Sequence, residues 1–124
     1  MALQSLGHQA EDFLLMAVQR IGITVVDRTV VHQNLDCDFA IARATEREDW
    51  QEKTDFWFYI RTRGWKRLDL STARKPEIVN KKRSQKVCAF FVNFRTLELA
   101  ARGCEKDLYI LESIFVSLVK EFAQ

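Results

Sequence analysis

Proline occurs once in the chain, at Pro76, and glycine four times, at Gly7, Gly22, Gly64 and Gly103. This scarcity, with no internal repeat or low-complexity segment, excludes collagen-like and disordered classes. Cysteine is sparse and odd in number: Cys37, Cys88 and Cys104 have no C-x-x-C spacing and no histidine pair nearby. That argues against a disulfide framework or a zinc site, and the three thiols are expected to be reduced core residues. His8 and His32 are the two histidines, little material for a transition-metal cluster or a Cys/His nucleophile pair. No run of about eighteen uncharged apolar residues occurs, and the opening MALQSLGHQAED places no positive charge ahead of an apolar stretch. The expectation is a soluble, cytoplasmic protein with no membrane partner. A Gly-rich phosphate loop, a G-x-S-x-G elbow and a metalloprotease helix are all missing.

What is present is a core-forming chain. With 48% hydrophobic residues in a length of 124, one domain spanning residues 1–124 can close a two-layer core. Its net charge of +2 is unevenly spread. Between Arg61 and Lys86 stand ten basic residues (Arg61, Arg63, Lys66, Arg67, Arg74, Lys75, Lys81, Lys82, Arg83, Lys86) and two acidic ones (Asp69, Glu77), so the remainder is acidic. Such asymmetry is the footprint of a phosphate-backbone binder, or of a merely solvated face.

Along the chain, Leu3, Leu6, Ala10, Phe13, Ala17 and Ile21 recur at helical spacing, and Gly22 stops that helix. Glu11 lies on the flank of the apolar stripe and His8 on the far side. Ile23 to Val31, rich in β-branched residues, predicts a first strand, and Cys37 to Arg43 a second. The second strand's alternation sets Asp36, Asp38, Ala40 and Ala42 on one face. An aspartate among small apolar residues is expensive to bury without a cation, which makes Asp38 the leading functional carboxylate. Ala44 to Thr54 is expected to be a charged surface loop.

A hairpin follows, Asp55 to Thr62 and Trp65 to Thr72. On its first arm Phe56, Phe58 and Ile60 alternate with Trp57, Tyr59 and Arg61, giving one core face and one aromatic, basic face suited to stacking bases or to packing under a helix. Pro76 opens a short helix to Lys82. The apolar run Val87 to Phe94 predicts a central strand covered on both faces. Leu97 to Arg102 forms a helical turn closed by Gly103, and the last helix, Asp107 to Phe122, has an apolar girth wide enough to pack against a second copy of the chain.

These elements, read as helix, antiparallel strands, helix, strand, helix, define an α/β (α+β) domain with a central mixed sheet of four to five strands flanked by N-terminal and C-terminal helices. Their order over roughly residues 5 to 95 resembles the restriction-endonuclease-like αβββαβ core of the PD-(D/E)XK nuclease superfamily. Three stretches carry the resemblance: GHQAEDFLLMAVQRIGITVVDR with its glutamate Glu11, LDCDFAIAR with Asp38 in the place of the first metal-binding aspartate, and FWFYIRTR in the place of the strand that holds an acid or amide and a lysine. There Tyr59 and Arg61 occupy the acid and lysine positions, and Cys37 the proline position. Tyrosine is no substitute for a coordinating carboxylate, and arginine is a poor proton shuttle but a good phosphate clamp.

The returning arm offers another acid in Asp69-Leu70-Ser71, with Lys75 just beyond. A loop of Arg63-Gly64-Trp65 sets Asp69 opposite Tyr59 and on its face. A two-residue Arg63-Gly64 loop pairs Tyr59 with Leu68 and turns Asp69 away. The resemblance implies magnesium (or manganese) held by Glu11, Asp38 and Asp69, with Lys75 or Arg61 stabilising charge on the scissile phosphate. Three readings stand side by side. One is a metal-dependent phosphodiesterase acting on DNA or RNA. The second is a non-catalytic nucleic-acid binder using Arg61, Arg63, Lys66, Arg67, Lys81 and Lys82, with Trp57, Tyr59 or Trp65 as stacking surface. The third is a homodimeric interaction module joined through Leu118 and Phe122 of the C-terminal helix.

Overall fold

The computed structural model describes residues 6–72 and 87–123. The expected helix Pro76–Lys82 and the residues Lys75, Lys81 and Lys82 lie outside them. Five strands form one mixed sheet, in the spatial order β1 (Thr24–Val25), β2 (Phe39–Arg43), β3 (Phe56–Ile60), β4 (Gly64–Ser71) and β5 (Cys88–Phe91). β2, β3 and β4 run as an antiparallel meander, while β1 is parallel to β2 and β5 parallel to β4. The described helices are α1 (Leu6–Arg20), α2 (Glu46–Glu52), α3 (Phe94–Ala101) and α4 (Glu105–Phe122). The chain is a single α/β domain.

β3 is the strand buried on both faces: all five of its residues are buried. Its alternation divides the core in two. Phe56, Phe58 and Ile60 join Ile41, Leu68 and Phe90 against Leu14 and Val18 of α1, Leu97 of α3, and Leu111 and Phe115 of α4. Phe115 meets Phe58 and Phe90 edge to face, at 5.3 and 5.8 Å between ring centres. On the reverse face Trp57 packs with Val31 and Ala42, flanked by Trp65. The run Val87 to Phe94 is therefore not the central strand. β5 occupies the last position in the sheet among the described residues, and its apolar character serves the helical layer on one side.

The first expected strand is cut short. After Val25 the side chain of Asp27 accepts a hydrogen bond from Thr29 N at 2.9 Å and opens a 3-10 turn, Arg28–Val30. A local side-chain acceptor here outcompetes the ladder. The segment 44–54 is likewise a helix rather than a loop. Thr45 Oγ1 accepts from Glu48 N while Glu48 Oε1 accepts from Thr45 N, a reciprocal capping box, and Lys53 ends α2 in the left-handed region.

Glu48 faces inward from α2 and holds the reverse side of the sheet together. It receives Nε and Nη2 of Arg28 at 2.9 and 2.8 Å and Nε1 of Trp57 at 3.0 Å. The Arg28 guanidinium, first by hydrogen bonding, draws the Glu48 pKa down from 4.5 to about 2. Arg28 and Arg67 lie 5.3 and 5.2 Å from the Trp57 ring centre.

In α4, Leu111, Phe115 and Leu118 are buried and Phe122 packs on the same cluster. Leu118 and Phe122 thus belong to the chain's own core and are not the dimer surface expected of them. Cys104 is exposed at the start of α4, and Cys37 and Cys88 are half-buried, so the cysteines are not fully core residues.

Two outcomes follow from these contacts. Gly64 has φ +79° with nothing within 4 Å of an added Cβ, so Gly64→Ala is expected to lose about 1 kcal/mol to backbone strain alone. A lower urea midpoint with an unchanged slope is the signature to look for. Because Glu48 is ionised more readily folded than unfolded, its stabilisation is complete above pH 4.5 and disappears as pH falls towards about 2. Glu48→Gln is expected to remove that acid-limb slope and to cost about 1–3 kcal/mol at neutral pH, measured by denaturation across a pH series.

Candidate functional site

The turn of the hairpin sets the position of the acids. Arg63 N donates to Ile60 O at 2.9 Å, Gly64 then takes its positive φ, and the strands pair Tyr59 with Trp65 and Phe56 with Leu68. The loop is Arg61-Thr62-Arg63, beginning two residues earlier than either loop expected. Asp69 is therefore opposite neither Tyr59 nor any other residue of β3. It stands one residue beyond the last ladder pair, beside Asp55, whose N–H donates to Leu68 O at 2.9 Å.

Asp55 and Asp69 are both buried, 8% and 5% exposed, which makes two adjacent carboxyl groups at the floor of a pocket. Asp55 Oδ2 accepts from Leu70 N at 2.7 Å. Glu11 from α1 and Asp49 from α2 complete the surround, and the pocket, about 300 Å³, is also lined by His8 and Thr72. It continues into a second recess past Arg43, Thr45 and Glu46, sharing His8, Glu11, Asp49 and Asp55. One carboxylate oxygen from each of Glu11, Asp49 and Asp55 lies within 4.8 Å of the others.

Electrostatics follow from this crowding. Burial, then hydrogen bonding with Asp69 and Asp49, pushes the Asp55 carboxyl far above its ordinary 3.8, so it carries a proton at neutral pH. Burial also raises Glu11 above 4.5, against the pull of the Arg43 guanidinium 3.4 Å away. Arg43 is shared with Asp12 at 2.7 Å. A set of oxygen donors with surplus negative charge suits a hard divalent cation such as Mg²⁺ or Mn²⁺ and is a poor match for softer metals.

Of the expected carboxylates, Glu11 and Asp69 come together here and Asp38 does not. Asp38 precedes β2, and the pocket lies past its far end at Arg43, a separation of about 17 Å for five residues of strand. Its side chain is 76% exposed and ion-paired with Arg61 at 3.4 Å, next to Asp36. Asp38 stands just before β2, and the pocket lies at the other end of that strand. Asp49 and Asp55 were missed. The T-x-x-E box at Thr45–Glu48 signals α2, and with it Asp49. Asp55 is an aspartate directly before an aromatic strand that has no solvent face.

The expected nucleic-acid contacts fare differently. Trp57 and Tyr59 are 5% and 3% exposed and offer no stacking surface. The Tyr59 hydroxyl donates to Leu35 O at 3.3 Å and accepts from Leu35 N at 3.1 Å, and Trp65 Nε1 donates to Gln33 O at 2.8 Å. The loop before β2 thus covers this face. Arg61 pairs with Asp36 and Asp38, Arg63 donates to Ala123 O at 2.8 Å, and Arg67 leans on Trp57 and Glu52. Lys66 is half-buried in β4, opposite Phe58. The exposed tryptophan is Trp50, 80% accessible on α2 next to Asp49.

Fold and site together define a single α/β domain with a four-carboxylate pocket at one end of its sheet. No family model, curated protein or solved structure matches the chain. No helix among the described residues is long and apolar enough to cross a membrane.

The protonated state of Asp55 makes a sign-definite prediction. The folded protein keeps a proton that the unfolded chain releases above pH 3.8, so Asp55 makes stability fall as pH rises. In metal-free buffer Asp55→Asn, which mimics the neutral acid, is expected to gain on the wild type by more than about 1 kcal/mol between about pH 5 and about pH 8. Parallel stability profiles for the two proteins would refute the assignment.

Proposed function

We propose that this chain is a magnesium- or manganese-dependent phosphodiesterase acting on nucleic acid, with DNA as the first substrate to test, on a PD-(D/E)XK-like αβββαβ core. The observation that carries this reading is the convergence in one pocket of Glu11 from α1, Asp49 from α2, Asp55 from the residue before β3 and Asp69 from β4. The order of α1, the β2–β3–β4 meander and a parallel β5 supports it. The departures at Tyr59 and Arg61 lose their force, because both residues lie away from the pocket and the acids come instead from Asp55 and from Asp69-Leu70-Ser71.

In this reading Glu11, Asp49 and Asp55, with Asp69 beside them, would hold the cation. The metal supplies charge neutralisation at the phosphate and a water of lowered pKa. The chain's own residues keep the site shaped. Leu70 N fixes the Asp55 carboxyl group, Arg43 aligns Glu11, and His8 lines the pocket beside them. Arg61 is too far along the sheet to stabilise the phosphate.

Calorimetry with Mg²⁺ and Mn²⁺, beside cleavage of single- and double-stranded DNA and RNA, tests the proposal. Wild type and Asp38→Ala are expected to bind metal and cleave alike. Asp55→Asn and Asp69→Asn are expected to lose binding heat and at least about a hundredfold in rate, the order of effect when several kcal/mol of charge stabilisation is removed. Absence of metal binding in the wild type, or loss of activity in Asp38→Ala with retention in Asp55→Asn, overturns it.

A further inference from the structure

The acidic pocket and the outer face of α4 are separate surfaces, and α4 has a pattern the core does not use. Its inner stripe, Asp107, Leu111, Phe115 and Leu118, is buried. A second stripe, about 140° around the helix, runs through Tyr109, Glu112, Val116, Lys120 and Ala123, all exposed. Tyr109 is 73% and Val116 47% accessible, a large apolar exposure for one helix face. Beside this stripe a groove of about 400 Å³ opens between α4 and the β1–β2 edge, with Ile21, Ile23, Phe39 and Val119 among its lining and Glu112 and Lys120 also on it.

The charges on this stripe are arranged symmetrically about an apolar centre. Glu112 and Lys120 each lie four residues from Val116 and on the same line of the helix. A helix with this pattern is complementary to its own antiparallel copy. With a two-fold axis at Val116, Glu112 of each copy meets Lys120 of the other, Val116 meets Val116, and Tyr109 meets Ala123. The Arg63 guanidinium, bound to the Ala123 carbonyl at 2.8 Å, then lies at the end of the helix that receives the tyrosine ring. Isologous contacts require such self-complementarity, and an unrelated partner gives no reason for it.

We propose that the chain forms a two-fold homodimer through this outer stripe of α4, centred on Val116, with two reciprocal Glu112–Lys120 ion pairs flanking the apolar contact. Leu118 and Phe122 take no part in it. A pair of this kind sets register and orientation more than raw affinity, so charge reversal is the informative perturbation.

The experiment is sedimentation or light scattering of the full chain at roughly 100 μM, where a contact of micromolar affinity is saturated. Circular dichroism confirms that each variant is folded. Wild type is expected to run as a dimer. Glu112→Lys and Lys120→Glu each place like charges opposite one another twice, and each is expected to raise the dimer dissociation constant at least about tenfold. The double variant, Glu112→Lys with Lys120→Glu, restores opposite charges across the axis and is expected to recover the dimer. A monomeric wild type, folded single variants that remain as dimeric as the wild type, or a folded double variant that stays monomeric would each overturn the proposal.

Discussion

The register between β3 and β4 is the constraint on which the rest of the molecule depends. β3 is hydrogen-bonded along both edges and buried on both faces, so no residue of it can change face without loss of packing on each side. The turn at Arg61-Thr62-Arg63, made possible by the left-handed Gly64, places Leu68 in the helical layer opposite Phe56. The same pairing carries Asp69 past the end of β3 to lie against Asp55. Core packing and the position of the acids are thus set by a single geometric choice.

The reverse face of the sheet is built without a long helix. Two short devices cover it: α2, anchored by Glu48 on Arg28 and Trp57, and the loop before β2, tied to Tyr59 and Trp65 through Leu35 and Gln33. A buried carboxylate is tolerable in α2 because four N–H groups, from Arg28, Trp57 and Thr45, compensate its desolvation. This cover takes up Trp57, Tyr59, Trp65 and Arg67, side chains that looked available to a nucleic acid. It leaves the acidic pocket open at the opposite end, between α1, α2 and the strand ends.

The two groups of carboxylates illustrate the difference that environment makes. Asp36 and Asp38 are exposed and ion-paired with Arg61. Asp55 and Asp69 are buried side by side at the end of the sheet, and burial, then hydrogen bonding with Asp69 and Asp49, keeps a proton on Asp55. Energetically, such a pair weakens the metal-free fold at neutral pH. Its position in a pocket with two further acids is what gives the site its chemical interest.

Several features were determined by the sequence alone, because they rest on local periodicity. The helical spacing of Ala10, Phe13 and Ala17, the alternation of Phe56, Phe58 and Ile60, and the stops at Gly22 and Gly103 placed the main helices and the hairpin, and with them the mixed α/β class. Glu11 was legible from its place on the flank of α1, and Asp69 from the returning strand. Tertiary structure decided the rest. The two-residue shift of the hairpin turn, the capping box that converts 44–54 into α2, and the capture of Trp57 by Glu48 depend on which groups are left to satisfy one another once β3 is enclosed. Periodicity assigns a residue to a face of a strand, whereas its distance along the sheet to a partner on another element depends on register and packing. For that reason Asp38 could be singled out from the chain, while the meeting of Asp55 with Asp69, Asp49 and Glu11 could be seen only in the folded protein.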